Sequence, residues 1–313
     1  MIISASRRTD IPAFYSDWFF NRIKEGFVLV RNPMNIHQVS KIRLSPDVVD
    51  CIVFWTKNPY AMLKNHTDEL RNFQIPFYFQ FTVNPYNKCI EPFVPEKKKI
   101  FETFITLSEM LGKERMIWRY DPIIITDTID FLYHIKYFEV IAKILAPYTK
   151  KCIISFLDFY KKTERNMKAI NFLDPSFDQK LLLSQKIYDI ASSYGLELET
   201  CAEQLDFSKI GIHHGQCIDS GLIAHLCKGR VLATKDKNQR DECGCIESID
   251  IGSYNTCKHG CLYCYANYSQ NIVEKQCHLH DPSSPLLFGN LNSDDKIVER
   301  KMESVIDRQQ LFG

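Results

Sequence analysis

Three cysteines, Cys257, Cys261 and Cys264, stand at CxxxCxxC spacing in the run CKHGCLYC, directly after the apolar stretch Ile249-Asp-Ile-Gly252. Thiolate is the usual ligand of an iron–sulfur cluster and also suits zinc. A loop this short, relaxed by Gly260, lets three thiolates wrap one cubane. The competing chemistry is a tetrahedral zinc site, to which Cys243, Cys245 and His259 could add donors. Cysteine placement sharpens the point. Of the 12 cysteines, only Cys51, Cys89 and Cys152 lie in the first 200 residues, and the others crowd into residues 201–277. The N-terminus MIISASRRTDIP has no secretory pattern. A cytoplasmic chain with reduced thiols is therefore expected, which argues against a disulfide scaffold and for metal binding.

These residues need elements to position them. Candidate strands are 2–6, 27–30, 50–55, 77–83, 116–120, 152–157, 196–201 and 247–252, several of them apolar or β-branched throughout, as in a parallel sheet buried on both faces. Helical spacing lies between them. Ile100, Phe104, Leu107 and Leu111 mark one helix, closed by Gly112. Leu132, Ile135, Phe138, Ala142 and Leu145 mark another. Leu183, Ile187, Ala191 and Tyr194 mark a third, stopped by Gly195. Alternating strands and helices imply βαβ units and an α/β fold built on a parallel (β/α) partial or full barrel. Residues 1–281 read as one such unit. Residues 282–313 read as a C-terminal extension, with a charged helix expected over 294–308.

Reactive groups of such folds gather at the carboxyl ends of the strands. Polar signatures recur there: Ser4 to Asp10, Thr56-Lys57, then Gln80, Thr82 and Asn84, then Arg119-Tyr120-Asp121-Pro122, Ser155 and Asp158, and Glu203. Taken singly, each reads equally well as an ordinary loop cap. Six on one rim predict a site.

The CxxxCxxC loop, with aromatic Tyr263 before its third cysteine, resembles the cluster loop of the radical S-adenosylmethionine (SAM) enzymes. That resemblance implies a [4Fe–4S] cluster on Cys257, Cys261 and Cys264, with SAM on the fourth iron. It implies reductive cleavage of SAM, hydrogen abstraction from a substrate, and an electron donor such as a flavodoxin or ferredoxin. It also places Tyr263 against the SAM adenine, a role Tyr265 could share. The segments SRRTDIPAFY, VFWTKNP, IWRYDPI and CKHGCLYCYAN resemble an uncharacterised bacterial family known as a domain of unknown function, whose C-terminal cysteines have suggested radical SAM chemistry. Lys57 and the Arg119 segment are also similar to the branch containing spore photoproduct lyase. There the corresponding strands follow the cluster loop, whereas here they precede it. A circularly permuted barrel, with the cluster strand supplied last, is the implied arrangement. No Gly-Gly-Glu segment of the kind that holds the SAM amino group is found. Lys57 and Arg119 are candidates for the SAM carboxylate or ribose, with a salt bridge to Asp121 or Asp158 as the plainer role. Tyr120, Tyr265 and Cys89 are candidate hydrogen donors to a product radical.

Cys201, Cys217, Cys243 and Cys245 form a candidate second site, for an auxiliary [4Fe–4S] cluster or a zinc ion. Unpaired buried thiols are the bland alternative, and the one preferred for Cys51, Cys89 and Cys152. A net charge of +1 gives no global field for nucleic acid. No apolar run reaches the roughly 18 residues of a membrane span, so no membrane partner is expected. The rival class is a non-enzymatic binding module stabilised by zinc or an iron–sulfur cluster.

Overall fold

A computed structural model describes residues 1–158, 166–167 and 170–308. Its strands are β1 (Ile2–Ala5), β2 (Phe27–Asn32), β3 (Asn35–Arg43), β4 (Cys51–Thr56), β5 (Phe77–Thr82), β6 (Met116–Ile123), β7 (Lys151–Phe156) and β8 (Glu197–Thr200). Five shorter ones follow: β9 (His213–His214), β10 (Arg230–Val231), β11 (Ile249–Asp250), β12 (Lys296–Glu299) and β13 (Ile306–Asp307). Eight of them form one sheet in the order β11-β1-β4-β5-β6-β7-β8-β9, and every pairing in it is parallel. β11 and β9 are its two edges, so the sheet is open rather than a closed barrel.

The helices that cover this sheet follow from sequence in a direct way. They are α1 (Ile11–Phe14), α2 (Ser16–Glu25), α3 (Tyr60–Asn65), α4 (Thr67–Arg71), α5 (Lys97–Leu111), α6 (Phe131–Leu145) and α7 (Phe177–Ser193). From β4 to β8 the strands pair in chain order. Right-handed crossovers that always step the same way leave their helices on one face. That face is the main core, where Phe54, Phe77, Phe79 and Phe81 are buried against α2 and α5 residues such as Phe19 and Phe104. Each such ring contributes about 2–3 kcal/mol by burial. Caps fix the helix ends. Asp130 accepts from Tyr133 N at 2.7 Å, and Ser176 with Gln179 makes a reciprocal capping box. Residues alternate along each strand, so Ile2, Cys51, Val53, Tyr78, Ile117 and Ile153 point the other way. They are covered by Cys217, Ile218, Ile223, Cys227, Cys243, Cys245 and Ile246, including α8 (Ser220–Cys227).

Three expectations need correction. The 27–30 run is β2, but it pairs antiparallel with β3 in a separate three-stranded sheet completed by β12. No helix spans 294–308. β12 and β13 lie there, because β3 offers backbone partners to the first and β10 to the second, in a segment whose charged residues had marked it as helical. Leu132 is exposed, and His134 takes the inward position of α6 instead. The extension is bound to the main unit: Trp18 Nε1 donates to Ser284 O at 2.9 Å, Arg31 pairs with Asp295 at 2.6 Å, and Asp50 accepts from Val305 N at 2.8 Å. Its residues 309–313 lie outside the described residues. No helix among the described residues is long and apolar enough to cross a membrane.

Candidate functional site

The cysteine loop is carried on the end of β11, and Asp250 welds that end to β1. Its Oδ1 accepts from Ser6 Oγ at 2.6 Å and Gly252 N at 2.9 Å. Its Oδ2 accepts from Arg7 N at 2.8 Å and Ser4 Oγ at 3.0 Å. A Cβ on Gly252 would lie 2.1 Å from Ser6 Oγ, so only glycine permits this approach. The loop that follows is held by backbone bonds from Leu262 N to Ile90 O and from Phe93 N to His259 O, at 3.0 and 3.1 Å. Gly260 has φ +67°, the left-handed region, and a Cβ there would meet the Phe93 ring at 2.7 Å.

All three loop cysteines therefore sit on one short segment at the carboxyl rim of the parallel sheet. Burial raises the Cys257 and Cys261 thiols, and negative charge on neighbouring cysteines adds to it. Lys57 opposes the rise at Cys261, which stands at about 12. Beside the loop, His259 is buried, with Nε2 2.8 Å from Asp10 Oδ2 and a buried Nδ1 that has no hydrogen-bond partner. Asp10 Oδ2 also accepts from Lys57 N at 2.7 Å, while its Oδ1 caps α1.

A web of polar contacts runs from the loop around the rim. Glu91 is buried and receives Lys57 Nζ at 2.9 Å, Lys97 Nζ at 2.7 Å and the Tyr263 hydroxyl. Burial would raise its carboxyl, but the two lysines and the tyrosine outweigh burial and hold it at about 2. Asn84 Nδ2 donates to Tyr263 Oη at 3.2 Å and Asp121 O at 2.8 Å, and Asn84 Oδ1 accepts from Asp121 N at 2.9 Å. The Asp121 carboxylate takes Arg119 Nε at 3.0 Å, Arg119 Nη2 and Ser155 Oγ. Glu203 accepts from Phe156 N at 2.6 Å; burial lifts its carboxyl to about 7. Ends of β4 through β8 thus face one another across a continuous polar surface, as the strand-end signatures anticipate.

Lys57 and Tyr263 stand beside the loop, each already engaged with Glu91. Arg119 takes the plainer role, a pair with Asp121, and also donates from Nη1 to Cys217 Sγ at 2.7 Å and Gln80 Oε1 at 3.3 Å. Its guanidinium lies 5.3 Å from the Trp55 ring, and that of Arg7 lies 5.1 Å from the same ring. Tyr120 is not on the rim. It points into the helix-covered core and bonds His134 Nδ1 at 2.8 Å, because it alternates with Arg119 along β6. It therefore lies in the core cluster rather than among the polar residues of the rim. Tyr265 is half exposed, with its hydroxyl donating to Arg7 O at 2.9 Å. Cys89 is exposed on the 87–91 loop, next in sequence to the Ile90 contact.

The second cysteine group does assemble. Cys201 follows β8, Cys217 follows β9, and Cys243 and Cys245 precede β11. Cys201 Sγ lies 3.1 Å from Cys217 Sγ. Cys245 Sγ accepts from Ile218 N at 3.3 Å, next to Cys217, and Cys243 is buried in the same cluster. The bond with Cys217 brings Cys201 down to about 7 against burial, with help from Arg119. Tyr78 and Gln80 fix this turn by donating to Cys217 O at 2.7 and 2.8 Å. His213 and His214 are the exposed residues of β9 and stand outside the group. Among the described residues, no three His, Cys, Asp or Glu side chains close on one point as a ready metal site, so both groups are collections of neighbouring thiols. A groove of about 640 Å³ lined by Arg115, His225, Lys228 and Arg230 lies at the opposite, amino end of β6, away from both.

Sequence reasoning passed over Glu91 and Asp250. An acid between the apolar Ile249 and Ile251 was a signal for the second. Glu91 lies in an aperiodic loop and carried none.

The matched segment of a family comparison spans the rim and both cysteine groups: the model described as Domain of unknown function (DUF1848) matches residues 2–266. The chain belongs to this family. Its matched region includes the cysteine loop on β11 and stops before α9 (Gln270–His278) and the extension. No curated protein and no solved structure matches the chain.

Proposed function

We propose that this chain is a radical SAM enzyme whose [4Fe–4S] cluster is held by Cys257, Cys261 and Cys264. One observation carries the reading: a three-thiol loop on an edge strand of a parallel sheet, at the rim where the other strands end in polar residues. Sheet order supports the implied permutation. If β11 is counted first, the parallel strands follow one another in sequence from one edge of the sheet to the other. The cluster strand then has the place of a first strand, moved to the end of the chain.

The donor set fits the group. Three soft thiols on one segment suit a cluster that keeps a position open, and a nearby lysine offsets the negative charge that thiolates would bring. When bound, such a cluster supplies the electron that cleaves SAM to methionine and a 5′-deoxyadenosyl radical able to abstract hydrogen. The chain's own residues have narrower tasks. Glu91 orients Tyr263 and Lys57 beside the loop. Asp10 holds His259 and the start of the Lys57 turn. Phe93 and Leu262 cover the loop with apolar surface. Tyr263 is assigned to the adenine, and Lys57 to the SAM carboxylate or ribose once it is shared with or released from Glu91. A flavodoxin or ferredoxin is the expected electron donor. A net charge of +1 weighs against nucleic acid as the substrate.

A second reading has an observation of its own. Histidines that bind metal usually give their other nitrogen to a carboxylate, and His259 holds Asp10 through Nε2 while Nδ1 is buried and unpaired. With Cys257, Cys261 and Cys264 this would make a closed Cys₃His zinc site in a non-enzymatic module. Anaerobic reconstitution with iron and sulfide, followed by SAM and a strong reductant, separates the two. The enzyme reading predicts 5′-deoxyadenosine, lost on Cys257→Ala, Cys261→Ala or Cys264→Ala. Zinc without iron on these three cysteines, and no 5′-deoxyadenosine, would establish the module.

A further inference from the structure

We propose that Cys201, Cys217, Cys243 and Cys245 together hold one divalent metal ion, zinc by the preference of four thiolates, and that this ion ties the two edges of the open sheet together. The inference does not depend on the chemistry of the Cys257 loop. Topology gives it a purpose. Cys201 and Cys217 belong to the β8–β9 edge, and Cys243 and Cys245 belong to the segment that leads into β11, the other edge. No strand pairing joins these edges among the described residues. The four thiols meet on the face opposite the helices, where they are packed with Tyr78 and Ile153.

Spacing favours a single ion over a cluster. Zinc–sulfur bonds of ~2.3 Å in a tetrahedron place the sulfurs ~3.8 Å apart. Cys201 and Cys217 stand at 3.1 Å, Ile218 N donates to Cys245 Sγ at 3.3 Å and so sets it beside the Cys217 turn, and Cys243 is buried in the same cluster. A small widening admits one ion, whereas a cubane needs four irons set between the sulfurs. Charge favours an occupant as well. Four thiolates around a divalent ion carry a net charge of two minus, and two arginines face the group. Arg119 donates to Cys217 Sγ at 2.7 Å. Arg7 lies over the same Trp55 ring as Arg119, its enclosed Nη2 has no hydrogen-bond partner, and its carboxylate neighbour Asp250 bonds its backbone rather than its guanidinium. A tetrathiolate centre would give these two guanidiniums negative charge beyond that of Asp121 and Asp250.

The test compares metal content in three proteins: the wild type, the Cys217→Ser/Cys245→Ser variant, and the Cys257→Ala/Cys261→Ala/Cys264→Ala variant. Zinc at one equivalent per chain is expected in the wild type and the triple variant, and none in the double variant. Cobalt(II) added to the metal-stripped triple variant should give the intense sulfur-to-metal and visible bands of a tetrahedral S₄ site. Loss of zinc in the triple variant with retention in the double variant would overturn the assignment. Iron with cluster absorption in the triple variant would overturn the single ion in favour of an auxiliary cluster. Should the double variant not fold, an organomercurial titration of the folded triple variant decides. Release of one zinc as four thiols react supports the site; reaction without release of zinc rejects it.

Discussion

The two cysteine groups meet the same sheet in opposite ways. Cys257, Cys261 and Cys264 lie within eight residues on the tip of one edge strand, so chain connectivity alone brings them together. Cys201, Cys217 and the Cys243/Cys245 pair come from three separated segments, and only the folded sheet unites them. Their neighbours differ too. The first group faces a lysine whose charge is shared with Glu91; the second is met directly by Arg119. A local loop can exchange its occupant or its ligands without disturbing the core. A group assembled from distant segments is coupled to folding, because the unfolded chain has no such site.

The largest expected effect breaks the comparison outright if it fails. Cys264→Ala should remove 5′-deoxyadenosine formation completely while far-UV circular dichroism and the unfolding midpoint stay within error of the wild type. Its removal leaves the β1–β11 weld at Asp250 untouched. Retained cleavage, or a chain that no longer folds, would mean that the loop is not a separable cofactor site.

Next comes Glu91→Ala. Lys57 and Lys97 would be left in a buried setting without their carboxylate. Breaking a buried pair in this way costs about 3–5 kcal/mol, which urea unfolding measures. Tyr263 would also lose its acceptor, so SAM cleavage should fall in the residual folded protein. A loss of stability below about 1 kcal/mol would show that the rim web is solvated and does little to hold the loop.

A third prediction supplies a control remote from both groups. The Ile124 carbonyl can only accept, so His134 Nε2 carries the proton and donates to it at 2.9 Å. Nδ1 then accepts from Tyr120. The ring is satisfied as a neutral imidazole, and burial lowers it from an ordinary value of 6.5 to about 4. The unfolded chain binds the proton first as pH falls. Stability from this residue is therefore complete above pH 6.5 and is lost between 6.5 and 4, by about 3 kcal/mol in all. His134→Phe should flatten that part of the stability profile and leave metal content unchanged. An unaltered slope would move the acid sensitivity elsewhere.

Much of this arrangement was legible in the sequence, for reasons that can be named. The strands at 50–55, 77–83 and 116–120 announce themselves because both faces are buried, which demands unbroken apolar runs. Gly112 and Gly195 mark helix ends because their positive φ favours glycine. The strand-end polar residues followed from the rule that parallel strands present their carboxyl ends to one rim. Failures have equally plain causes. β12 is an edge strand exposed along its whole length, and the first half of β3 is exposed as well, so they lack the alternation that a half-buried strand shows. Tyr120 was placed on the rim because it is adjacent to Arg119, when period-two geometry sends neighbours to opposite faces. Asp250 and Glu91 act through long-range hydrogen bonds, which leave no local periodicity. The second cysteine group was visible as a composition, but its contacts depend on a turn held by Tyr78 and Gln80, far away in sequence.

The smallest effect tests how far the loop is prebuilt. Gly260 combines a φ of +67° with a Cβ direction that runs into Phe93 at 2.7 Å. Alanine at this position would incur left-handed backbone strain of about 1–2 kcal/mol and displace the Phe93 ring. Because the strain falls on the segment between Cys257 and Cys261, it should appear as weaker iron loading and slower SAM cleavage, with zinc on the second group unaffected. Adding Phe93→Ala would relieve the contact and leave the backbone term, so a partial recovery is expected. Full recovery would mean that side-chain crowding alone had set the effect. No effect of Gly260→Ala on iron loading would mean that the loop reshapes around its occupant, and the contrast with the sheet-assembled group would then be one of folding as well as of sequence distance.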